Sequence, residues 1–367
     1  MTRARVVSLV AVSALLPRLL AAQAGTTTVR SGVYFESYSF GTGLAFNRIS
    51  EFTIPISITQ RIGDRLAIDL GTAFARASVS EAVGGGTVTH SGFVDTDLRA
   101  TFSVVPGKVV LNLVGTIPTG ATAVPDTTIP LFGATATDLL GFTTPSFGSG
   151  GGVSAGFASA FKMGTNWAVG TGVSYRYGAS YVPVKNGSEM SPGGEIRGRL
   201  GLEGPFGGGK YFRGALVITK TAASDLGAGE TSTVGTRVLG YAAVSMPLGR
   251  SSLSLYGWEM RRMQAAGGTV PMPRGNVLAL GARLDRPLNP KTTLSPQLEF
   301  RHELTGATTK MVLLGYLLRA GTDVRYRLSD RAAGVVQAQL AFGKLHDGLT
   351  TVSLFGPRLG LFIEWAK

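Results

Sequence analysis

The sequence predicts an all-β chain folded as a transmembrane antiparallel up-and-down β-barrel of about 16 strands, with 14 as the alternative count. Three observations carry the prediction. Strand-length segments alternate between an apolar and a charged face, turn residues recur at a nearly constant spacing, and no run of 18 uncharged apolar residues is present to span a bilayer as a helix. Mean hydropathy is +0.22 and charged residues make up only 16% of the chain, which is apolar for a soluble protein. A membrane protein without spanning helices must close its strands into a barrel, because an open edge leaves backbone groups unpaired in lipid.

The N-terminus reads as a leader. Thr2-Arg3-Ala4-Arg5 is a basic n-region, Val6 to Leu16 an apolar h-region, and Ala22-Gln23-Ala24 supplies the small residues that a signal peptidase inspects. A signal peptide over 1–24, export through an inner membrane and one barrel domain over 25–367 are therefore expected. The formal charge of +13 falls to +10 without Arg3, Arg5 and Arg18. The remaining bases are scattered one or two per strand with no Lys/Arg run of five or more. That argues against nucleic acid and fits a basic barrel interior or attraction to anionic lipid heads and solutes. Cys is absent, which excludes disulfides and thiolate metal sites.

Seven short turns punctuate the chain: Gly63-Asp64, Pro106-Gly107, Gly164-Thr165-Asn166, Gly207-Gly208-Gly209, Gly249-Arg250, Asn289-Pro290 and Ser329-Asp330. Their starts are separated by 43, 58, 43, 42, 40 and 40 residues. Propeller blades repeat at this length, but with four short strands and Gly-His and Trp-Asp signatures. Here each period holds two long strands and one longer polar loop, and those signatures are missing. Alternating short and long connections are what an up-and-down barrel produces, with short turns toward the periplasm.

The strands support this in order. Phe52, Ile54, Ile56 and Ile58 share one face. Leu66, Ile68, Leu70 and Phe74 oppose Asp69, and Leu98, Phe102 and Val104 oppose Asp95, Asp97 and Arg99. Ile196, Leu200 and Leu202 oppose Glu195, Arg197, Arg199 and Glu203. Leu278, Leu280 and Leu284 oppose Arg283 and Asp285, Leu298 and Phe300 oppose Glu299, Arg301 and Glu303, and Leu318, Val324 and Tyr326 oppose Arg319, Asp323, Arg325 and Arg327. Repeated ionisable groups on one face mark a polar interior. Tyr34, Tyr38, Trp167, Tyr175, Tyr177, Tyr211, Tyr256, Trp258 and Tyr326 are candidates for interfacial aromatic girdles.

In the octet Arg358-Leu359-Gly360-Leu361-Phe362-Ile363-Glu364-Trp365, the odd positions are apolar and the even ones include Arg358 and Glu364. It resembles the terminal strand signal of bacterial outer-membrane barrels through Gly360, Ile363 and Trp365, and departs from it in the trailing Ala366-Lys367. The resemblance implies a closing strand read by the barrel-assembly machinery, paired beside the first strand near Gly32 to Phe40. A second resemblance joins Phe93-Val94-Asp95-Thr96-Asp97-Leu98-Arg99, the Pro106-Gly107 turn and Leu113-Val114-Gly115-Thr116-Ile117-Pro118-Thr119-Gly120. Over these thirty or so residues the chain resembles outer-membrane transporters related to the phenol meta-degradation barrels and, more distantly, to the long-chain fatty-acid transporters. It lacks the long N-terminal hatch of the latter. The resemblance implies passage of small hydrophobic or aromatic compounds.

The one stretched period contains a long connection, residues 119–148. Its Pro130-Leu131-Phe132-Gly133 resembles the Pro-acid-Phe-Gly turn with which general porins fold their third loop into the channel, with Leu131 in place of the acid. That resemblance implies a constriction in which Asp126 and Asp138 face a basic wall of Arg197, Arg199, Arg301, Arg319 and Arg325, with Phe132 on the solute path. Ile129, Leu131, Phe132, Leu139, Leu140, Phe142 and Phe147 make the loop apolar. It should therefore be buried, inside the barrel or over an apolar ligand; a mobile external loop is the alternative.

Chemistry is not indicated. His302 lies on the apolar face with Leu304, not Ser, two residues on. His346-Asp347 are adjacent and so point opposite ways in a strand, and His90 sits among Ser and Thr. The Gly runs at 84–86 and 207–209 lack a following Lys-Ser/Thr and helix. The expectation is a non-enzyme without catalytic residues, metal site or cofactor: a passive outer-membrane channel for small solutes, hydrophobic or weakly anionic. Its expected partners are outer-membrane lipid, the barrel-assembly machinery and a small-molecule solute. A closed structural or adhesion barrel is the alternative, and a barrel hydrolase the third reading. No feature of the sequence specifies an oligomer.

Overall fold

All seven short turns connect antiparallel neighbours in the computed structural model, which describes residues 25–144, 146–265, 267–270, 274–306, 312–346 and 350–367. The predicted signal peptide and Asp347 lie outside the described residues. At Gly63, Gly107, Gly164 and Gly249 the turn backbone is left-handed, with φ between +58° and +69°, a conformation that glycine adopts without steric cost. At the sixth turn the Asn289 carboxamide oxygen accepts the backbone N–H groups of Lys291 and Thr292, each at 2.9 Å.

The strands in chain order are β1 (Thr27–Phe40), β2 (Phe46–Ile62), β3 (Leu66–Glu81), β4 (Thr87–Phe93), β5 (Thr96–Val105), β6 (Val109–Ile117), β7 (Gly152–Met163), β8 (Trp167–Gly178), β9 (Glu195–Pro205) and β10 (Tyr211–Thr221). They continue with a small hairpin, β11 (Ser224–Gly227) and β12 (Glu230–Ser232), then β13 (Arg237–Leu248), β14 (Ser251–Arg262), β15 (Arg274–Asn289), β16 (Thr292–Gly306), β17 (Val312–Arg327), β18 (Ala332–His346) and β19 (Thr351–Ala366). One helix, α1 (Ile129–Thr135), follows a 3-10 turn at Asp126–Thr128. Each barrel strand pairs antiparallel with its neighbours. β4 and β5 both pair with β3 and share one position, interrupted at Val94-Asp95. With that position counted once and the β11–β12 hairpin set aside, the barrel has 16 strands.

Closure is made where the sequence expects it. β19 pairs with β1 in the register Gly32↔Phe362, Tyr34↔Gly360 and Phe40↔Leu354. A closed sheet has no free edge, so its ladder groups are satisfied without water. The outward positions of β19, Leu359, Leu361, Ile363 and Trp365, are exposed, as are Leu98, Phe102, Ile196, Leu200, Leu280, Leu298, Phe300 and Leu318. These form an apolar outer belt of the transmembrane-barrel type.

The aromatic expectation divides. Trp167, Tyr175, Tyr177 and Tyr326 lie on the outer face. Tyr34, Tyr38, Tyr211, Tyr256 and Trp258 lie on the inner one, because cross-strand register places them opposite inward residues: Tyr34 beside Gly360, Tyr211 beside Ser245 and Trp258 beside Ala279. Inside, they serve as polar handles and ring faces. The Tyr256 hydroxyl donates to Glu299 at 3.1 Å, and the Arg358 and Arg301 guanidinium groups lie over Tyr34 and Trp258 at 5.3 and 5.6 Å.

Strand length splits the wall in two. β1, β2, β3 and β15 to β19 have 14 to 17 residues, whereas β5 to β10, β13 and β14 have 9 to 12. At about 3.3 Å per residue, four or five extra residues add roughly 15 Å of strand. The long-strand wall thus offers an inner surface that the short-strand wall does not.

Candidate functional site

The upper inner face of the long strands is apolar: Tyr38, Phe40, Ile49, Ala75, Ala77, Val79, Leu317, Ala341, Val352 and Leu354 are buried there. The connection between β6 and β7 folds down onto this surface and buries Leu131, Leu139, Leu140, Phe142 and Phe147 against it. Each such burial is worth about 1.5–3 kcal/mol. Pro130-Leu131-Phe132-Gly133 forms part of α1 rather than a turn. Leu131, where the porin pattern has its acid, is fully buried and points into the wall.

The loop is gripped at its base and along its length. Asp95, freed from the ladder by the break between β4 and β5, accepts Gly120 N–H at 3.1 Å with one oxygen, and Ser149 N–H at 2.6 Å and its hydroxyl at 2.9 Å with the other. Thr119 donates to the Val94 carbonyl at 2.8 Å, and Thr116 to Asp97 at 2.7 Å. The Asp-rich strand and the Pro-Thr-Gly end are therefore two halves of one clasp that pinches the loop shut.

Further along, six inward ionisable side chains hold six backbone groups between residues 138 and 144. Arg301 donates to Asp138 O at 3.2 Å, Arg319 to Leu140 O at 2.9 Å and Arg358 to Gly141 O at 2.8 Å. Glu303 accepts Leu139 N–H at 2.8 Å, and Glu36 and Glu51 accept the N–H groups of Thr143 and Thr144 at 2.9 Å each. A loop without a ladder needs partners for its backbone, and buried charges need partners for themselves; each need meets the other. The cations are also paired: Arg358 bonds the fully buried Glu36 at 2.8 Å, and Glu299 takes Arg301 at 2.8 Å and Arg319 at 3.3 Å.

The short-strand wall is different. Beside it lies a cavity of about 800 Å³ whose lining includes Val110, Ala158, Ala160, Gly170, Ala215, Val217, Leu239 and Met260, with the cations Lys108, Arg197, Arg199 and Arg237. A second cavity of about 700 Å³, toward the loop clasp, is lined by Asp95, Asp97, Arg99, Asn112, Thr116, Ser149, Ser174, Arg176 and Glu195 among others. The two share Ala158, Gly172, Arg197 and Arg199 in their walls and so adjoin one another. Above this half the outer connections are knitted together by bridges Val124↔Val184, Ser191↔Asp225 and Ser232↔Val270.

The five arginines expected to form a single wall therefore occupy three places. Arg197 and Arg199 line the cavities. Arg301 and Arg319 are packed under the loop, Arg319 being 5% exposed. Arg325 lies near the short-turn end and pairs with Glu364. Asp126 is exposed and accepts the adjacent Thr127 N–H at 2.8 Å, while Asp138 faces Arg262 at 3.8 Å. Phe132 packs edge-on against His90 and Phe147, with centroids 5.4 and 5.7 Å away. Gly360, Ile363 and Trp365 lie between β1 and β18 in the closing strand. Glu36, Glu51 and Arg237 had no assigned role in the sequence, and Asp95 was read as an inward charge of the Asp-rich strand without its part in holding the loop. Glu36 shares parity with Tyr34 and Tyr38, and the inward charge at that position was the available signal.

The fold and lumen define a class: a closed 16-strand β-barrel with an apolar outer belt, half filled by an inward loop. The chain matches no protein-family model and no curated protein. Among solved structures it is similar to Pseudomonas aeruginosa OpdQ, with 10% identity, a TM-score of 0.46 and coverage of 94% of this chain and 98% of that one. It is similar also to the outer membrane channel DcaP of Acinetobacter baumannii, at 12% identity, TM-score 0.43 and coverage of 94% and 98%. For the CymD monoaromatic hydrocarbon channel the values are 13%, 0.43, 95% and 90%.

Proposed function

We propose that the chain is a passive outer-membrane channel for small solutes, hydrophobic or weakly anionic, constricted by the loop 119–148. The observation that carries this reading is the pair of adjoining cavities along the short-strand wall, which meet at Arg197 and Arg199. The apolar outer belt supports a membrane location, since that much exposed Leu, Ile and Phe surface is stable only in lipid. The closing strand supports delivery by barrel-assembly machinery through Gly360, Ile363 and Trp365. Reconstituted protein is expected to conduct in planar bilayers and to admit small solutes into liposomes. Folded protein that does neither contradicts the reading. The ion pairs and loop that seal the long-strand wall favour a second reading, a closed structural barrel. It requires zero conductance and is separated from the first by the same experiment.

A further inference from the structure

The charges around the two cavities are distributed unevenly. The lining of the 700 Å³ cavity mixes Asp95, Asp97 and Glu195 with Arg99, Arg176, Arg197 and Arg199. Two of its acids are already engaged, Asp95 by the loop and Asp97 by Thr116. The lining of the 800 Å³ chamber holds four cations and no acid. Of the four, Arg197 and Arg237 share the single carboxylate of Glu195, at 2.7 and 2.6 Å. Among the described residues Arg199 has no carboxylate within ion-pair distance, while Arg197 lies two positions away on the same inward face and Arg99 lines the same cavity wall. A guanidinium with a like charge beside it and no carboxylate of its own favours an anion next to it. Apart from the Thr219 hydroxyl, the inward-facing rest of the chamber wall is chiefly Ala, Gly, Val, Leu and Met, which offers few hydrogen bonds to a hydrated inorganic ion and favours an apolar body.

Resting on the channel reading above, we propose that the chamber is a binding site for organic monoanions, a carboxylate or sulfonate on a compact apolar body. The head group sits at Arg199 with Arg197 beside it. The body lies over Ala158, Val217 and Leu239, which the strand register places level with Arg199. A small inorganic anion receives only the charge, and a neutral or cationic aromatic only the apolar wall or repulsion. The mixed-charge cavity on the loop side serves as the vestibule.

The test is current block by three probes in planar bilayers containing the full barrel: benzenesulfonate, methanesulfonate and benzyltrimethylammonium. Benzenesulfonate is expected to block the potassium chloride current at a concentration at least ten times lower than either of the others. Arg199→Gln and Leu239→Ser should each weaken that block at least fivefold, through the head group and the body respectively. Lys291→Gln, in the turn between β15 and β16, should leave it unchanged. Equal block by all three probes, or an Arg199→Gln barrel blocked like the wild type, overturns the proposal while leaving a channel in place. If no current flows, the channel reading fails instead. Calorimetric titration of the detergent-folded barrel with benzenesulfonate and methanesulfonate then decides the site, a tenfold preference supporting it and equal affinities overturning it.

Discussion

On the long-strand wall, inward Arg and Glu side chains are bonded to one another and to a loop backbone, and the space beside them is filled with Leu and Phe. On the short-strand wall the same residue types face open space over a floor of small apolar residues. The difference does not come from composition, since both walls carry alternating strands with charged inner faces. It comes from height. The extra residues of β1 to β3 and β15 to β19 present a second, apolar inner tier on which a loop can lie, and the loop then desolvates the charges beneath it. A guanidinium under that cover is structural; one outside it is available to solutes.

The comparison can be broken most sharply by removing one cation from each wall. Arg358→Met leaves Glu36 fully buried without its partner, and should cost about 3–5 kcal/mol in a denaturation midpoint measured on the folded barrel. Arg213→Met removes the cation from an exposed pair with Glu203 on the short-strand wall, and should cost about 0–1 kcal/mol. Equal costs would remove the distinction between the walls.

The next largest effect tests the belt rather than the lumen. Leu359→Arg, halfway along β19 on the outer face, should cost about 2–4 kcal/mol, whereas Trp365→Arg near the rim should cost about 0–1. Both should lower insertion yield more than they alter the conductance of the barrels that do insert. A smaller effect is expected at Gly141, which adopts φ +61° and where a Cβ would collide with Arg301 Nη1. Gly141→Ala should destabilise by about 1–2 kcal/mol and loosen the loop, seen as faster limited proteolysis after residue 141.

Much of the wall was legible in the sequence, because turn chemistry and period-two alternation are local. All seven short turns and the outward faces of β19 and β16 follow from residues a few positions apart; the long-range pairing of β19 with β1 was legible only through the resemblance of the last strand to a closing strand. What covers an inner face is not local. Nothing near Arg301 or Arg319 says that a loop more than 150 residues earlier will lie on them. Likewise, nothing near Leu131 says that Ile49, Val79 and Leu354 will form an apolar tier for it. The aromatic assignment failed at Tyr34, Tyr38, Tyr211, Tyr256 and Trp258 for a more avoidable reason. Tyr34 and Tyr38 share parity with Glu36, and Tyr211 with Arg213, so alternation already placed them inside; treating them as girdle residues set interfacial preference above register.

The absence of native Cys makes the central claim open to direct measurement. Ala160→Cys and Ala215→Cys line the chamber and are exposed to it, whereas Ala77→Cys and Ala341→Cys lie at 0 and 1% exposure under the loop. Labelling the four folded single-Cys barrels with a charged, membrane-impermeant thiol reagent should modify the first two rapidly, with a fall in conductance, and leave the second two protected until the barrel is unfolded. Equal labelling at all four positions, or protection of Ala160→Cys and Ala215→Cys, would contradict a barrel sealed along its long-strand wall and open along its short one.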